Sequence, residues 1–333
     1  MQDEKRQWNN HLQSLKDRHQ SIAKLLDGKS IAYVDLPIHF NVGDILIMEG
    51  TEQFFEDHQL NVIYRCDAFD YKFSSIDKAD VIVFHGGGNF GDLYDDGKMQ
   101  AMRETLIQRY PNKRIVCLPQ TIYFADPARQ KQSATIFSQH PDFHFFVRDL
   151  HSSEVAKQFT DNCTLMPDMA HSLHPLVSSR EAVIQVPHTP RILNLSRIDK
   201  EKPSTTDRLQ KKSFDWLHIV ELQDIAFNRF SRLLKKVPGC EQRALKIWLK
   251  ICTNIVFRSQ QFFYQFDVVE TDRLHGAIFG ALLGRNIVLY DNSYGKNSRY
   301  YSMWLEENPL IQLCDLGDKN RENEPKKGVK IEE

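Results

Sequence analysis

The chain has 333 residues, 41% of them hydrophobic, with 43 Lys and Arg against 44 Asp and Glu for a formal net charge of -1. That is enough apolar material for two globular domains, and the charge balance excludes a global pull toward nucleic acid, so any anion site has to be built locally. The opening MQDEKRQWNN lacks a signal-peptide core, no run approaches the ~18 apolar residues of a membrane span, and the six cysteines show no CxxC spacing, which predicts a cytoplasmic chain with buried thiols.

Trp8, Leu12, Leu15, Ile22 and Leu26 recur at helical spacing before Gly28, which predicts an amphipathic helix packed on the protein. Strands and helices then alternate: a strand at Ile31–Asp35, a helix at Ile45–His58 opened by Asp44, a strand at Asn61–Tyr64 and an apolar strand at Ala79–His85. A helix at Lys98–Tyr110, a strand at Arg114–Leu118, a helix at Ala128–Gln139, a strand at His144–Val147, a helix at Ser152–Phe159 and a strand at Thr164–Met166 complete a doubly wound unit. Residues 176–190 lose periodicity and carry two prolines, which sets a domain boundary.

A second α/β unit follows. Its predicted elements are a strand at Arg191–Leu195, helices at Phe214–Leu234 and Glu241–Phe257, a strand at Asp267–Glu270, a helix at Arg273–Leu283, a strand at Asn286–Tyr290 and a helix at Ser298–Glu306. The charged tail after Asp318 has the composition of a disordered segment. The expected organisation is therefore domains at 1–180 and 190–318 with a tail at 319–333. The expected fold class is α/β, two Rossmann-like domains facing a cleft in a GT-B-like arrangement, with ligands beyond the carboxyl ends of the strands.

Five places have residues suited to chemistry. In Asn41-Val42-Gly43-Asp44, the aspartate at a helix start serves either as a cap or as a ligand contact, and Asn41 and Gly43 share that position. In His85-Gly86-Gly87-Gly88-Asn89, three glycines after a strand form either a tight turn or an exposed row of N–H groups beside a substrate, with Asn89 and Asp92 able to bond sugar hydroxyls. This run is neither a GxGxxG fingerprint nor a Walker loop. Arg148 ends a strand and either pairs with Asp149 or forks onto a carboxylate or phosphate.

The fourth place, Glu270-Thr271-Asp272-Arg273-Leu274-His275-Gly276-Ala277, joins a buried strand to an apolar helix. Thr271 or Asp272 caps that helix, and Arg273 and His275 stand at its positive end, where an anion binds and a histidine serves as acid or base near neutral pH. The fifth, Asp291–Asn297, is either a solvent turn or a loop that brings Lys296 beside the cleft. No Asp/His cluster calls for a metal.

NVGD, HGGGNFGDLY, VRD with a following serine, LSRIDKEK, TDRLHG and DNSYGKN succeed one another in order over about residues 31–305. On these motifs the chain resembles the polysaccharide pyruvyl transferase family. The resemblance implies a GT-B-like fold, phosphoenolpyruvate as co-substrate, no cofactor, and transfer of pyruvate as a ketal onto two hydroxyls of one sugar in exopolysaccharide synthesis. It implies His275 as general acid, donor contacts from Arg273 and Leu274, and Arg148 as a second donor arginine. It further implies a lipid-linked acceptor at the inner membrane face, with peripheral association through an aromatic surface near Tyr300–Trp304. A glycosyltransferase using a sugar nucleotide and a non-catalytic assembly protein are the competing readings. Thermal-shift titration separates them: phosphoenolpyruvate is expected to raise the melting temperature, whereas UDP-sugars are not.

Overall fold

The computed structural model describes residues 2–93, 97–178, 182, 189–196, 214–291 and 295–314. Two parallel sheets organise it. The first contains β1 (Ser30–Val34), β2 (Asn61–Arg65), β3 (Val81–Phe84), β4 (Gly87–Gly91), β5 (Arg114–Tyr123), β6 (Phe143–Val147) and β7 (Cys163–Leu165). Its order is β2-β1-β3-β5-β6-β7, with β4 paired to the far end of β5. The second contains β8 (Ile192–Leu195), β9 (Val268–Thr271), β10 (Asn286–Tyr290) and β11 (Ile311–Cys314), in the order β11-β10-β9-β8.

The helices are α1 (Gln2–Arg18), α2 (Gln20–Leu26), α3 (Val42–Asp57), α4 (Phe73–Ile76), α5 (Lys98–Arg109), α6 (Pro127–Ser138), α7 (Leu150–Ala156), α8 (Leu222–Leu234), α9 (Glu241–Phe263), α10 (Leu274–Leu282) and α11 (Lys296–Tyr300). β3 is buried along its whole length, as an unbroken apolar strand in a parallel sheet must be. One face of the first sheet packs on a phenylalanine cluster, with the Phe90 and Phe145 ring centroids 4.6 Å apart. The other face joins α3 to Trp216, Trp248, Leu274 and Phe279 in one apolar cluster that runs on into the second sheet.

Several elements differ from their sequence expectation for identifiable reasons. The first helix breaks at His19, whose buried ring bonds Ser172 Oγ at 2.7 Å and the Pro167 carbonyl at 3.1 Å. Trp8 donates to the Ala281 carbonyl at 2.8 Å, so this helix packs on α10 of the second half. α3 begins at Val42 with Asn41 as its cap, accepting from the Gly43 N–H at 3.0 Å; Asp44 lies in the first turn and is not the cap.

The predicted helix Phe214–Leu234 divides into a 3-10 turn at Trp216–Ile219 and α8, because Asp215 and Glu221 each start a capped segment. The expected loop at the glycines is instead strand β4. α11 passes into a π turn at Tyr301–Leu305, and β11 is an element that periodicity did not mark. Tyr300 and Trp304 are buried, with Trp304 donating to the Arg148 carbonyl at 2.6 Å, so the expected aromatic surface is interior. The LSRIDKEK segment beyond Ser196, most of the 176–190 boundary, Asn292–Tyr294 and the tail after Asp318 lie outside the described residues.

Candidate functional site

A cleft of about 940 Å³ opens where strand ends from both sheets meet. Asn41, Gly43 and Asp44 line it from the start of α3, Gly88 and Asn89 from β4, and Arg273, Leu274, His275 and Lys296 from the second half. The residues expected at a strand–helix junction on each side thus share one cavity. Gly86, Gly87, Asp92 and Arg148 do not line it.

His275 occupies the first turn of α10. Thr271 Oγ accepts from the Arg273 N–H at 3.0 Å and donates to the Leu195 carbonyl at 2.7 Å, tying this helix start to β8. Arg273 itself holds the cap position, which neither Thr271 nor Asp272 takes. The His275 Nε2 stands 3.3 Å from Asp168 Oδ2, and Asp168 is fully buried at the start of a 3-10 turn, Met169–Leu173. Arg148 also pairs with Asp168, and the Ala170 N–H donates to its other oxygen at 2.9 Å. Burial works against an ionised Asp168, but the neighbouring charges of His275 and Arg148 outweigh it and hold the carboxyl well below the usual range.

Arg148 does not form the expected pair within its own turn. It pairs with Asp168 rather than Asp149, and Asp149 caps α7 by accepting from the Ser152 N–H at 2.8 Å. The guanidinium is buried and also donates to Thr121 Oγ at 2.8 and 3.2 Å. It lies directly beneath β4, since a Cβ at Gly88 would meet Arg148 at 3.3 Å and Lys296 Nζ at 2.9 Å. Gly88 is therefore the one residue of the triplet whose lack of a side chain leaves room for both cations, Lys296 at the cleft and Arg148 buried beneath it.

The other glycines have structural duties. Gly86 packs under the Pro119 carbonyl, where a Cβ would be 3.0 Å away, and Gly87 takes a positive φ of 131° to enter β4. Asp92 lies outside the cleft lining, accepts from the N–H groups of Ala125 and Asp126 at 2.6 and 3.0 Å and fixes the entry to α6. Asn89 is held from behind by Arg103 at 2.7 Å and Gln120 at 3.2 Å. Asn41 donates to Asp44 at 2.8 Å, linking the two polar groups of that wall. Arg273 pairs with Asp215 and is nearly buried, and Leu274 is mostly core.

Gly43 sets how closely α3 approaches the histidine. A Cβ there would stand 2.9 Å from His275 Nδ1 and 3.2 Å from its Cβ. Gly43→Ala is therefore expected to leave the protein folded while the His275 ring shifts, any helix gain of alanine over glycine (at most about 0.5–1 kcal/mol) offsetting part of that cost. Displacement of the imidazole is expected to lower turnover by roughly 10-fold or more, the scale set by misplacing a catalytic group. Parallel melting curves and rates check the split.

Reasoning from motifs missed Asp168, Asp215 and Thr121 as partners, and His85 as a cleft residue. Asp168 had one usable signal: it follows the carboxyl end of a parallel strand. His85 is buried on the cleft wall with its Nδ1 2.5 Å from the Tyr33 hydroxyl, and burial pushes its pKa down to about 3, so it is neutral. Its Nε2 has no hydrogen-bond partner among the described residues.

Known proteins share much of this sequence and its fold. The family model for polysaccharide pyruvyl transferase matches residues 41–294. EpsO of Bacillus subtilis (strain 168), assigned as a pyruvyl transferase, is 36% identical over 94% of this chain and 97% of its own length. Pyruvyl transferase 1 of Schizosaccharomyces pombe is 26% identical over 83% of this chain and 70% of its own. The crystal structure of a functionally uncharacterised protein from Klebsiella pneumoniae subsp. pneumoniae NTUH-K2044 shares the fold, with a TM-score of 0.57 at 21% identity over 90% of this chain and 98% of that one. A family match across the residues that build both walls of the cleft, with a relative covered nearly end to end, places this chain in the polysaccharide pyruvyl transferase family.

Proposed function

We propose that this chain transfers pyruvate from phosphoenolpyruvate to a sugar as a ketal during exopolysaccharide synthesis. The observation that carries the reading is His275 seated on an ionised, buried Asp168 at the wall of a cleft that also presents Arg273 and Lys296. In this reading the two sheets act as a GT-B-like pair of Rossmann-like units around the cleft.

A protonated His275 gives its proton to the methylene carbon of phosphoenolpyruvate, which becomes the methyl group and leaves an oxocarbenium-like C2. One sugar hydroxyl adds to C2 and loses its proton to the imidazole. The C2–O bond to phosphate breaks, and the second hydroxyl closes the ketal as its proton leaves with phosphate. Asp168 stabilises the imidazolium and orients the ring, as a buried carboxylate does for a catalytic histidine. Lys296 and Arg273 supply positive charge for the donor's phosphate and carboxylate. Arg148 acts through Asp168, as a positioning residue. Asn41, Asp44 and Asn89 offer hydrogen bonds to the acceptor, a sugar on a lipid carrier at the inner membrane face.

The test is incubation of purified protein with phosphoenolpyruvate and a soluble glycoside. Phosphate release matched one-to-one by an acid-labile pyruvate ketal is expected. Glycosyl transfer from a UDP-sugar, or no reaction across a panel of glycosides, would overturn the reading.

Arg273→Lys is expected to raise the Michaelis constant for phosphoenolpyruvate by about 10–150-fold, the equivalent of the roughly 1.5–3 kcal/mol carried by a hydrogen bond to a charged group. Lysine keeps the charge but cannot fork between Asp215 and a ligand anion. Acceptor saturation curves at full donor should stay unchanged. A selective rise in the acceptor constant would put Arg273 in the sugar site.

A further inference from the structure

α8 is built inside out. Its buried side chains are polar, Asp224, Asn228 and Ser231, and they face α9 and the cleft: Arg258 pairs with Asp224, and Ser231 donates to the Ala244 carbonyl at 2.8 Å. Four of its large apolar side chains point the other way. Leu222 is 85% exposed and Leu233 64%, and Phe227 and Phe230 are each more than half exposed. Val237 continues the stripe just past the helix end at 49% exposure. An amphipathic surface helix ordinarily buries its apolar stripe, so this stripe faces outward for something other than the protein's own core.

The charge around the stripe identifies that occupant. Within 221–240, α8 and the turn that follows it, four cations (Arg229, Arg232, Lys235 and Lys236) stand against Glu221 and Asp224. Arg229 and Lys236 are exposed along one margin of the stripe. Exposed Leu and Phe beside Lys and Arg is the composition of a helix lying in the plane of an anionic bilayer, with its rings among the acyl chains and its cations at the headgroups. A second copy of this chain would set one cationic margin against another, which the charges oppose. No helix among the described residues is long and apolar enough to cross a membrane.

We propose that α8 docks this protein on an anionic phospholipid surface. The position of the helix adds a reason. Ser231 and Arg232 of α8, with Lys235 just beyond it, line the cleft, so the element that rests on lipid also forms a wall of the site. A sugar carried on a lipid enters that cleft without leaving the membrane. The proposal thereby deepens the acceptor assignment above, on which only this last step rests.

Co-sedimentation of the full chain with phosphatidylcholine vesicles, with and without phosphatidylglycerol, tests it. Binding is expected only with phosphatidylglycerol and should weaken as salt rises. Phe230→Ser combined with Leu233→Ser is expected to weaken binding by at least roughly 10-fold, the scale of losing one buried large apolar side chain. Arg229→Glu combined with Lys236→Glu should abolish the dependence on phosphatidylglycerol. Neither pair lines the cleft, so melting temperature and transfer to a soluble sugar should be unchanged. Absence of vesicle binding, or undiminished binding by both variants, overturns the proposal. So does a wild-type dimer in light scattering that the serine pair makes monomeric without any lipid binding, since the stripe then belongs to a second copy. Vesicle binding needs neither donor nor acceptor, so failure of pyruvyl transfer and failure of docking are distinguished.

Discussion

Replacing His275 by alanine is expected to lower pyruvyl transfer by about 10²–10⁴-fold, the usual scale for loss of a general acid–base group, while leaving the protein folded. The ring is only partly buried and its polar contact is the 3.3 Å approach to Asp168. Removing it takes away one of the two partners of that carboxylate, but Arg148 still pairs with Asp168. The helix start survives because Thr271 and not His275 ties it to β8. The loss should therefore fall on turnover, with donor and acceptor binding changed far less, because the proton is delivered in the transition state. Single-turnover rates with a melting curve decide it. Rates near wild type would take the histidine out of the mechanism, and an unfolded variant would make it a packing residue.

Much of the fold was legible because parallel sheets carry a strong local signature. β1, β3, β6, β9 and β10 are apolar runs bounded by helix starts, and each lies within a few residues of its expected place. His275, Arg273, Lys296 and Asn89 reach one cleft because junctions at strand ends in a parallel sheet converge on one edge. What periodicity cannot report is which charges pair across sequence distance. The Arg148–Asp168 pair spans 20 residues and the Arg273–Asp215 pair 58, and both depend on packing rather than on local pattern. Arg148 was therefore legible as an arginine at a strand end but not as the buried support of an aspartate. Tyr300 and Trp304 show the converse: an aromatic run has the same sequence whether it faces solvent or holds Asp168 and Arg148 through their backbones. The outward stripe of α8 was hidden for a related reason, since an amphipathic pattern does not say which side is in.

Asp168→Asn is expected to impair both catalysis and stability, through different groups. Asparagine is nearly isosteric and can still accept a bond from His275, but it brings no charge to stabilise an imidazolium, so turnover should fall by up to about 10⁴-fold, the scale seen when the carboxylate behind a catalytic histidine becomes an amide. Stability should fall by roughly 3–5 kcal/mol, because the fully buried Arg148 loses its counter-charge. The pH dependence separates this from generic damage. A carboxyl whose folded pKa is depressed contributes stability that is fully present above its unfolded value and is lost as pH falls through the folded one. With Asp168 held well below the ordinary carboxylate range, the stability gap between wild type and variant should stay open from neutral pH down past about pH 4, the unfolded aspartate value, and should narrow only in stronger acid. Denaturant titrations of both proteins across that range measure it. A gap that closes between neutrality and pH 5 would mean that Asp168 is not held ionised by Arg148 and His275, and the buried support assigned to the histidine would fall with it. An Asn variant that is stable and fully active would show that the pair is dispensable and that His275 is oriented by the α3 contact at Gly43 instead.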